Sequence, residues 1–286
     1  MSHKEFTFQR IMHCPICGSG ERLSWSIESR LPAYQCKNCH LVYMGEILDE
    51  SSSSLYYSNY NQNRDRNDSE LKAKRRKMYH LDLNFLSLLF NFNSPGLNIL
   101  DVGGGDGEFL NLIPGDHLKT CFDVDVQARI SGQEKFPLID YLVDLEAAEK
   151  EFDLILFRGT IQYQRSLKST RKFIDKYLKP NGNLVLLATP NIESPVATLA
   201  KDKWGLFVPY EHLYYFSIKN LEMLFDGLNL VHFDFPYIGT PYEDLDADLE
   251  KFKLLVNGSL GHASPPPSFW GSIMNLAFKK PKGIIN

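Results

Sequence analysis

A glycine-rich turn in the first half of the chain constrains the fold more than any other feature of this sequence. Residues 98–110 read NILDVGGGDGEFL, an apolar run followed by spaced glycines and then by the start of a helical pattern. A strand, a tight turn and a helix in this order form the unit from which parallel α/β sheets are built. Asp101 closes the strand, and the D-x-G-x-G-x-G spacing indicates a turn that holds a ligand.

Two common nucleotide-binding motifs do not fit this turn. A dinucleotide G-x-G-x-x-G that began at Gly103 would need a glycine where the chain has Glu108, and the lysine of a P-loop is absent. Asp101 instead indicates a ligand with a positive amine, while amides of the turn and of the helix start can hold a carboxylate. S-adenosylmethionine has both groups. The predicted loop contacts to it are Asp101, Gly103, Gly104, Gly105 and Gly107.

Further acids follow the next two predicted strands. Asp123 and Asp125 end the second strand, where one carboxylate can accept both ribose hydroxyls. We favour Asp125, because the strand pattern should end there, and Asp123 is the alternative. After the third strand, Asp144 can accept from the adenine amino group and Leu145 can cover the ring. Ligands of open α/β sheets bind at the carboxyl ends of the strands, so these acids predict one site.

The rest of the pattern predicts an α/β fold. Short apolar runs that alternate with helical segments indicate a parallel sheet covered on both faces. We predict seven strands, at residues 97–102, 119–124, 139–143, 152–158, 183–189, 228–235 and 273–279. Ser217 should cap a helix over residues 218–225.

Four of the five cysteines form two C-x-x-C pairs with 18 residues between them, at Cys14, Cys17, Cys36 and Cys39. Four thiolates make the closed tetrahedral set of a structural Zn²⁺. A rubredoxin-like iron site is one alternative. Two disulfides are another, disfavoured because the polar N-terminus carries no secretory stretch. His13 and His40 are expected to be neighbours of the metal rather than ligands, and Cys121 a core residue.

Charge and hydropathy restrict the partners. The chain has 31 Lys+Arg against 35 Asp+Glu, a net charge of −4, which gives no general attraction to nucleic acid or anionic lipid. Its apolar runs are far shorter than the ~20 residues that span a bilayer. We therefore expect a cytoplasmic protein.

Residues 72–77 carry five cations on a predicted helix. This basic stretch is either a solvated face or a clamp for a phosphate on the substrate.

The pattern divides the chain into three parts. Residues 1–45 hold the cysteines and form the zinc ribbon, and residues 46–93 form a linker and a helical cap for substrate or cofactor. Residues 94–286 form the Rossmann-like domain, with residues 236–271, which include three consecutive prolines, as an insertion.

These motifs resemble the class I S-adenosylmethionine-dependent methyltransferases over residues of about 95–235. The likeness includes the glycine loop, FDLI at 152–155, LKPNG at 178–182 and TPN at 189–191. The cysteine module, YYSNY at 56–60 and EHLYYFS at 211–217 are similar to zinc-ribbon methyltransferases of sugar and cell-envelope polysaccharide pathways, which include the deoxysugar C-methyltransferases. The resemblance implies a Rossmann-like, mostly parallel seven-stranded sheet and a sugar acceptor linked to a nucleotide or lipid.

The resemblance also implies roles for particular residues. Glu211 and His212 match a Glu-His pair in which the histidine is the general base, and a histidine titrates in the working pH range. The alternative is a loop histidine that hydrogen-bonds the sheet edge or only orients the substrate. Tyr57 and Tyr60 match a segment that contacts the acceptor. Arg158, at the end of the fourth strand, joins the candidate cofactor-binding residues.

Two departures from the family pattern leave the acceptor atom open. The C-methyltransferases place a second tyrosine three residues before the histidine, where this chain has Pro209. Many relatives carry an acidic-histidine pair after the fourth strand, where this chain reads RGTIQY at 158–163. Carbon, oxygen and nitrogen therefore all remain candidates.

Two other classes of protein remain as alternatives. An RNA methyltransferase could use the zinc module to bind ribosomal RNA, but it needs a basic face, and only residues 72–77 offer one. A non-catalytic relative could keep the cofactor site and lack an acceptor site.

Overall fold

The computed structural model describes residues 6–26, 29–58, 69–259 and 270–282. Its strands are β1 (Phe8–Arg10), β2 (Arg22–Ser24), β3 (Ala33–Cys36), β4 (Val42–Met44), β5 (Glu46–Leu48), β6 (Asn98–Val102), β7 (Leu118–Phe122), β8 (Ile139–Leu142), β9 (Phe152–Arg158), β10 (Leu178–Pro190), β11 (Tyr214–Tyr215), β12 (Asn229–Asp234) and β13 (Ile273–Lys279). Its helices are α1 (Glu50–Ser58), α2 (Ser69–Ser87), α3 (Glu108–Leu112), α4 (Val126–Lys135), α5 (Leu167–Tyr177), α6 (Pro195–Ala200), α7 (Ile218–Leu224) and α8 (Leu245–Val256), with 3-10 turns at Leu145–Ala147, Ile161–Tyr163 and Lys201–Lys203.

The central sheet of the described chain has seven strands in the order β12-β13-β10-β9-β6-β7-β8. Strands β10, β9, β6, β7 and β8 are parallel, and β13 runs antiparallel to both β10 and β12. The predicted α/β fold with a mostly parallel seven-stranded sheet is therefore confirmed. Helices connect β6 to β7, β7 to β8 and β9 to β10, as parallel pairing requires, whereas only the 3-10 turn Leu145–Ala147 lies between β8 and β9.

Strand β9 shows why the apolar run FDLILF folds as a central strand. Side chains alternate between the two faces of a strand, and both faces of β9 are covered. Ile155 and Phe157 pack into one core cluster, whereas Leu154 and Leu156 pack into the other. The hydrophobic core therefore lies on both sides of the sheet, and the ligand-binding groups are left to its edges.

Two predicted strand ends differ from the structure by two residues or more. Strand β10 begins at Leu178 rather than at residue 183, because Leu178 already pairs with Phe152 before an irregular stretch restores the register at Asn183. Strand β7 ends at Phe122 rather than at residue 124. Asp123 ends it there, because its carboxylate turns back to accept from backbone amides. The predicted cap of α7 is confirmed, since Ser217 accepts from the amide of Asn220.

The N-terminal module is joined to the larger domain by a shared sheet. Its four-stranded sheet has the order β11-β4-β3-β2, so the edge strand β11 comes from a segment about 170 residues further along the chain. The Asn220 side chain donates to the carbonyl of Cys39 at 2.6 Å. Strand β5 pairs with β1, which carries the module past residue 45. The cysteine module is thus fixed to the stretch that contains Glu211 and His212.

Among the described helices, none combines the length and the apolar character that crossing a lipid bilayer requires.

Candidate active site

The glycine loop between β6 and α3 has a backbone that only glycines adopt readily. Gly103, Gly105 and Gly107 have φ values of 82°, 61° and 81°. A Cβ on Gly103 would lie 2.5 Å from Cγ2 of Thr160, and one on Gly107 would lie 2.6 Å from Oη of Tyr141. A Cβ on Gly105 would meet open space instead. The loop is therefore packed against the protein at both ends and open in the middle.

Asp101 lies at the end of β6, next to Gly104. Its side chain is 1% exposed, and neither carboxyl oxygen has a hydrogen-bond partner within the described residues. Burial raises the pKa of this carboxyl to about 7, although the Arg158 guanidinium opposes the shift. Buried polar atoms without partners are costly, so the site fits a ligand that brings hydrogen-bond donors or a positive charge. The predicted amine of S-adenosylmethionine has that character.

The strand ends that the predicted acids follow lie side by side. The register aligns Val102 with Phe122 and Phe122 with Leu142, so the residues that follow β6, β7 and β8 are neighbours. Asp123 uses its two oxygens to accept from the amides of Gly105 and Asp125, both at 2.8 Å. Asp123 therefore holds the glycine loop in place.

Asp125 lies two residues further along the chain and caps α4. Its Oδ1 accepts from the amides of Gln127 at 2.9 Å and Ala128 at 3.1 Å. Its Oδ2 makes no hydrogen bond within the described residues. The strand boundary that we used to favour Asp125 over Asp123 was wrong, but this available oxygen keeps Asp125 as the better ribose acceptor. That role stays a prediction.

The third strand end supplies the apolar part of the site. Asp144 caps the short turn Leu145–Ala147 by accepting from the amide of Glu146 at 3.0 Å, and Leu145 is half-buried beside it. Val124 and Val143 are 66% and 77% exposed at the ends of neighbouring strands. Exposed apolar side chains beside a carboxylate suit a flat ring with a polar edge, as adenine has.

Arg158 is bound to α2. Its Nε donates to Oδ2 of Asp82 at 2.7 Å, and the guanidinium lies 4.4 Å from the ring centre of Tyr79. Burial raises the pKa of Asp82 to about 6, while Arg158 lowers it. Arg158 therefore links α2 to the sheet edge beside Asp101, and direct contact with the cofactor stays a prediction for this residue.

Glu211 and His212 lie in a buried cluster with tyrosines. Their side chains are 5% and 6% exposed. The hydroxyl of Tyr163 lies 3.3 Å from Nε2 of His212 and 3.4 Å from Oε2 of Glu211. The carbonyl of Leu206 lies 2.9 Å from Nδ1 of His212, and a carbonyl only accepts, so Nδ1 carries a proton. The neutral imidazole then has its basic lone pair on Nε2, directed at Tyr163.

The tyrosine segment of α1 contacts the same cluster. The hydroxyl of Tyr56 donates to Oε1 of Glu211 at 3.0 Å. Tyr57 lies beside Tyr56, with ring centres 5.4 Å apart. Burial raises the pKa of Tyr57, and the negative charge of Glu211 adds to the shift, so Tyr57 stays a neutral hydroxyl. Tyr60, the other predicted acceptor contact, lies outside the described residues.

One short turn connects the cofactor loop with this cluster. Thr160 contacts the position of Gly103 and donates to the carbonyl of Val102 at 2.6 Å. Three residues later, Tyr163 contacts Glu211 and His212. The amide of Leu213 donates to the carbonyl of Gln162 at 2.9 Å, which holds the two segments together. The glycine loop and the Glu-His pair are therefore linked through one short segment.

The four cysteines of the N-terminal module converge on one point. Their sulfurs all lie within 4.8 Å of one another, with Cys14 and Cys39 at 3.4 Å and Cys17 and Cys36 at 3.5 Å, and none is in a disulfide. Sulfurs in a tetrahedral zinc site, each about 2.3 Å from the ion, lie about 3.8 Å apart. The cluster is compatible with zinc. It does not support the disulfide alternative.

Each cysteine pair closes a similar turn. The amide of Gly18 donates to the carbonyl of Cys14 at 2.9 Å, and that of His40 to the carbonyl of Cys36 at 3.0 Å. Gly18 and His40 both have positive φ values, 73° and 61°. His40 therefore occupies the turn position that glycine occupies in the first pair. The four thiols already make a complete ligand set.

The cations of α2 are partly paired. Lys74 lies 2.7 Å from Glu70, and Arg76 lies 2.9 Å from Glu108. These exposed pairs lower the net positive charge of the helix, although each adds little to stability. The pairing supports a solvated face more than a phosphate clamp.

Sequence reasoning did not name Tyr163, Tyr56, Thr160 or Asp82 as site residues, although Tyr56 lies in the YYSNY segment that it singled out. Tyr163 lies in the segment where the family's acidic-histidine pair is missing, and that departure was the one available signal. The other three contact residues that are 57 to 155 positions away in the chain, which no local pattern reports.

The parallel sheet, the glycine loop and the acids at its edge together define a class I S-adenosylmethionine-dependent methyltransferase domain. The chain belongs to the family described as a methyltransferase domain, whose sequence model matches residues 72–232. The predicted enzyme class is thereby confirmed.

Individual relatives are more distant. Malonyl-[acyl-carrier protein] O-methyltransferase 2 of Ilyobacter polytropus is 32% identical over 101 residues, a match that covers 32% of this chain and 39% of that protein. The chain thus spans well under half the length of this curated relative.

Two solved structures share the fold. One is a complex between the Trm112 methyltransferase activator of Haloferax volcanii and the putative methyltransferase, with a TM-score of 0.53 and 13% identity over 80% of this chain and 97% of the other. The second is the N-methyltransferase NodS of Bradyrhizobium japonicum WM9 with S-adenosyl-L-homocysteine, with a TM-score of 0.50 and 17% identity over 80% and 100%. At these identities the similarity shows the fold alone.

Proposed function

We propose that the protein transfers a methyl group from S-adenosylmethionine to a sugar that is linked to a nucleotide or a lipid. The observation that carries this proposal is the buried cluster of Glu211, Tyr163 and His212 next to the cofactor loop. Such a cluster suits an acceptor that must lose a proton when it is methylated. A sugar hydroxyl, or a carbon next to a sugar carbonyl, is an acceptor of this kind.

The basic lone pair on His212 is fixed in direction by its neighbours. The hydrogen bond from Nδ1 to the carbonyl of Leu206 sets the tautomer and the ring orientation, so that Nε2 is the proton acceptor. Glu211 places a negative charge on the other side of the Tyr163 hydroxyl and would stabilise the imidazolium that forms. General-base help of this type contributes ~10²–10⁴-fold to rates.

The geometry at the sheet edge supports the proposed cofactor-binding roles. When bound, S-adenosylmethionine supplies an electrophilic methyl group on a sulfonium. Asp101 would receive the amine of the methionine part, and Asp125 would accept the ribose hydroxyls through Oδ2. Asp144 and Leu145 would hold the adenine ring. Each of these groups would help to orient the cofactor relative to the acceptor.

Aromatic side chains beside Glu211 support a ring-shaped acceptor. The rings of Tyr56 and Tyr210 lie nearly parallel with centres 6.4 Å apart, and Phe8 lies 6.3 Å from Tyr210. Phe8 and Tyr210 are partly exposed. Aromatic faces with nearby hydroxyls give both apolar contact and hydrogen bonds, as the two faces and the rim of a sugar ring require.

The zinc ribbon would have a structural role in this function. Four thiolates leave no open coordination position, so the ion at Cys14, Cys17, Cys36 and Cys39 would stabilise the module and not contact substrate. Strand β11 begins two residues after His212 and completes the ribbon sheet. The ribbon would therefore hold the Glu-His segment in place.

A carboxylate acceptor is the second candidate, and the similarity to the malonyl-[acyl-carrier protein] O-methyltransferase favours it. A carboxylate is already deprotonated at pH 7 and needs no general base. The cluster around His212 would then have no proton to remove, which is why we rank this acceptor second. Ribosomal RNA ranks below it, because the ion pairs of α2 reduce the one basic face that the sequence predicted.

The experiment is methyl transfer from labelled S-adenosylmethionine to three kinds of acceptor: a panel of nucleoside-diphosphate sugars, malonyl-acyl carrier protein, and ribosomal RNA. We expect label on a nucleotide sugar, with loss of the label in His212→Ala. Label on the carrier protein or on RNA alone would reject the sugar. Calorimetry that finds no binding of S-adenosylmethionine or S-adenosyl-L-homocysteine to the wild type would reject methyl transfer itself.

A further inference from the structure

Tyr163 lies between the two residues to which the family resemblance assigns catalysis. Its hydroxyl is 3.3 Å from Nε2 of His212 and 3.4 Å from Oε2 of Glu211. The rings of Tyr163 and His212 meet edge to face with centres 5.1 Å apart. The basic nitrogen of His212 is thus already occupied by a hydroxyl of the protein. An acceptor cannot reach Nε2 along the same direction unless Tyr163 moves away.

Burial also favours Tyr163 as the group that meets the acceptor. Glu211 and His212 are almost fully buried, whereas Tyr163 is half-buried. Tyr163 ends the 3-10 turn whose other end, Thr160, contacts the glycine loop. Tyr163 therefore belongs to the same short segment as the residue that contacts the glycine loop.

The hydrogen bonds around Tyr163 are compatible with two positions of its hydroxyl proton. In the first, Tyr163 donates to Nε2 of the neutral His212. In the second, His212 is protonated and donates from Nε2 to the oxygen of Tyr163, while Tyr163 donates to Oε2 of Glu211. Both arrangements use the same heavy-atom distances, and the second holds one proton more than the first, so the change needs the gain of one proton and little movement of the heavy atoms.

We propose that Tyr163 is the proton relay between the methyl acceptor and His212. This proposal rests on the proposed function, since it concerns an acceptor that loses a proton. The acceptor's proton passes to Oη of Tyr163 as the hydroxyl proton of Tyr163 passes to Nε2 of His212. In the same step the acceptor atom bonds to the methyl carbon, the carbon–sulfur bond breaks, and its electron pair stays on sulfur.

Charge is conserved in this step. The cofactor loses the positive charge of its sulfonium, and His212 gains one as an imidazolium. Glu211 supplies the negative charge nearest to this imidazolium. Its Oε2 contacts the hydroxyl of Tyr163, and its Oε1 accepts from Tyr56 at 3.0 Å. Tyr163 ends the step as a neutral hydroxyl. It therefore needs no low pKa to act, only the two hydrogen bonds.

The kinetic test uses Tyr163→Phe, which removes only the hydroxyl. We expect kcat to fall ~100-fold or more, with KM within about threefold of the wild type. The limb of the pH–rate profile that reports protonation of His212 should disappear. His212→Ala should lose a similar amount, and the double variant should lose little more, because the two groups act as one unit. A Tyr163→Phe enzyme with the kcat and pH profile of the wild type would overturn the relay.

The matched control is Tyr214→Phe. Tyr214 is buried close by in β11, and its hydroxyl donates to the backbone carbonyl of Arg165 at 3.2 Å. The substitution removes the same atom and one hydrogen bond but leaves the contacts of Tyr163 with Glu211 and His212 intact. We expect its kcat to stay within about twofold of the wild type.

A second measurement needs neither cofactor nor acceptor. In protein with ¹⁵N-labelled histidine, the Nε2 signal of His212 is identified by its absence in His212→Ala. In Tyr163→Phe this signal should shift, because the hydroxyl that contacts Nε2 is removed, while Nδ1 stays protonated. An unchanged signal would overturn the relay. If no sugar is methylated by the wild type, the proposed function fails, and this signal alone decides whether the hydrogen bond exists.

Discussion

The guanidinium of Arg158 donates to a carboxyl oxygen of Asp82 at 2.7 Å, and this pair joins a surface helix to the edge of the sheet. The two residues are 76 positions apart in the chain. Asp82 is buried, and its second oxygen has no hydrogen-bond partner within the described residues. The position of α2 above the cofactor loop therefore depends on a charged pair from which water is largely excluded.

Stability should depend on the ionisation of Asp82. Burial raises its pKa from 3.8 to about 6, so the folded state holds a proton that the unfolded state releases between these values. The contribution of Asp82 to the free energy of unfolding therefore falls as pH rises from about 4 to about 6. We expect the wild type to lose on the order of 1–3 kcal/mol relative to Asp82→Asn over this range. Urea unfolding at pH 4.5, 6 and 7.5 measures the difference, and parallel curves for the two proteins would contradict it.

Cofactor binding should be sensitive to a methyl group on Gly103. Its φ is 82°, and a Cβ would lie 2.5 Å from Cγ2 of Thr160. We expect Gly103→Ala to weaken binding of S-adenosyl-L-homocysteine at least ~10-fold in calorimetry, because the loop must shift. Gly96→Ala is the control, since Gly96 has a φ of 89° but open space around the Cβ position. Equal affinities for the two variants would show that the loop geometry does not matter.

Asp125 has two functions that one substitution can separate. Its Oδ1 caps α4, and we assign Oδ2 to the ribose. Serine caps helices well but is too short to reach the ribose, so Asp125→Ser should retain thermal stability and lose ~10-fold or more in affinity for S-adenosyl-L-homocysteine. Asp244→Ser, which makes the same exchange at the cap of α8, should change neither. Full affinity in Asp125→Ser would move the ribose contact to Asp123.

Zinc removal should affect turnover more than cofactor affinity. The four thiols that would bind the ion support the sheet that β11 completes, and β11 follows directly on the Glu-His segment. We expect one zinc per chain by metal analysis, and a Cys36→Ser variant with reduced kcat and near-normal binding of S-adenosyl-L-homocysteine. Cys121→Ser is the control for zinc content alone, because Cys121 lies outside the cluster and contacts the glycine loop. A protein that is purified without chelator and contains no zinc would exclude the ion.

The parts of this protein that the sequence predicted are those encoded by neighbours in the chain. The glycine loop, the cap at Ser217 and the apolar run of β9 each depend on contacts within a few residues. The thiol cluster was also predictable, because a C-x-x-C pair forms its own turn.

The remaining parts of the site depend on contacts between distant segments. The role of Tyr163 depends on its contacts with Glu211 and His212, about 50 positions away in the chain. The role of Asp82 depends on its ion pair with Arg158. Asp123 illustrates a boundary error, since a carboxylate that bonds the loop amide of Gly105 ends a strand two residues before the apolar pattern does.

The ribbon sheet has a consequence for the order of folding. Its edge strand is made about 170 residues after its neighbour, so the sheet is completed late during synthesis. Until then β4 presents Val42, Tyr43 and Met44 at an open edge, and such edges pair readily with other chains. Early metal binding by the four cysteines would hold the incomplete module compact while the rest of the chain is made. The ion would then serve as a chaperone within the molecule as well as a part of its final structure.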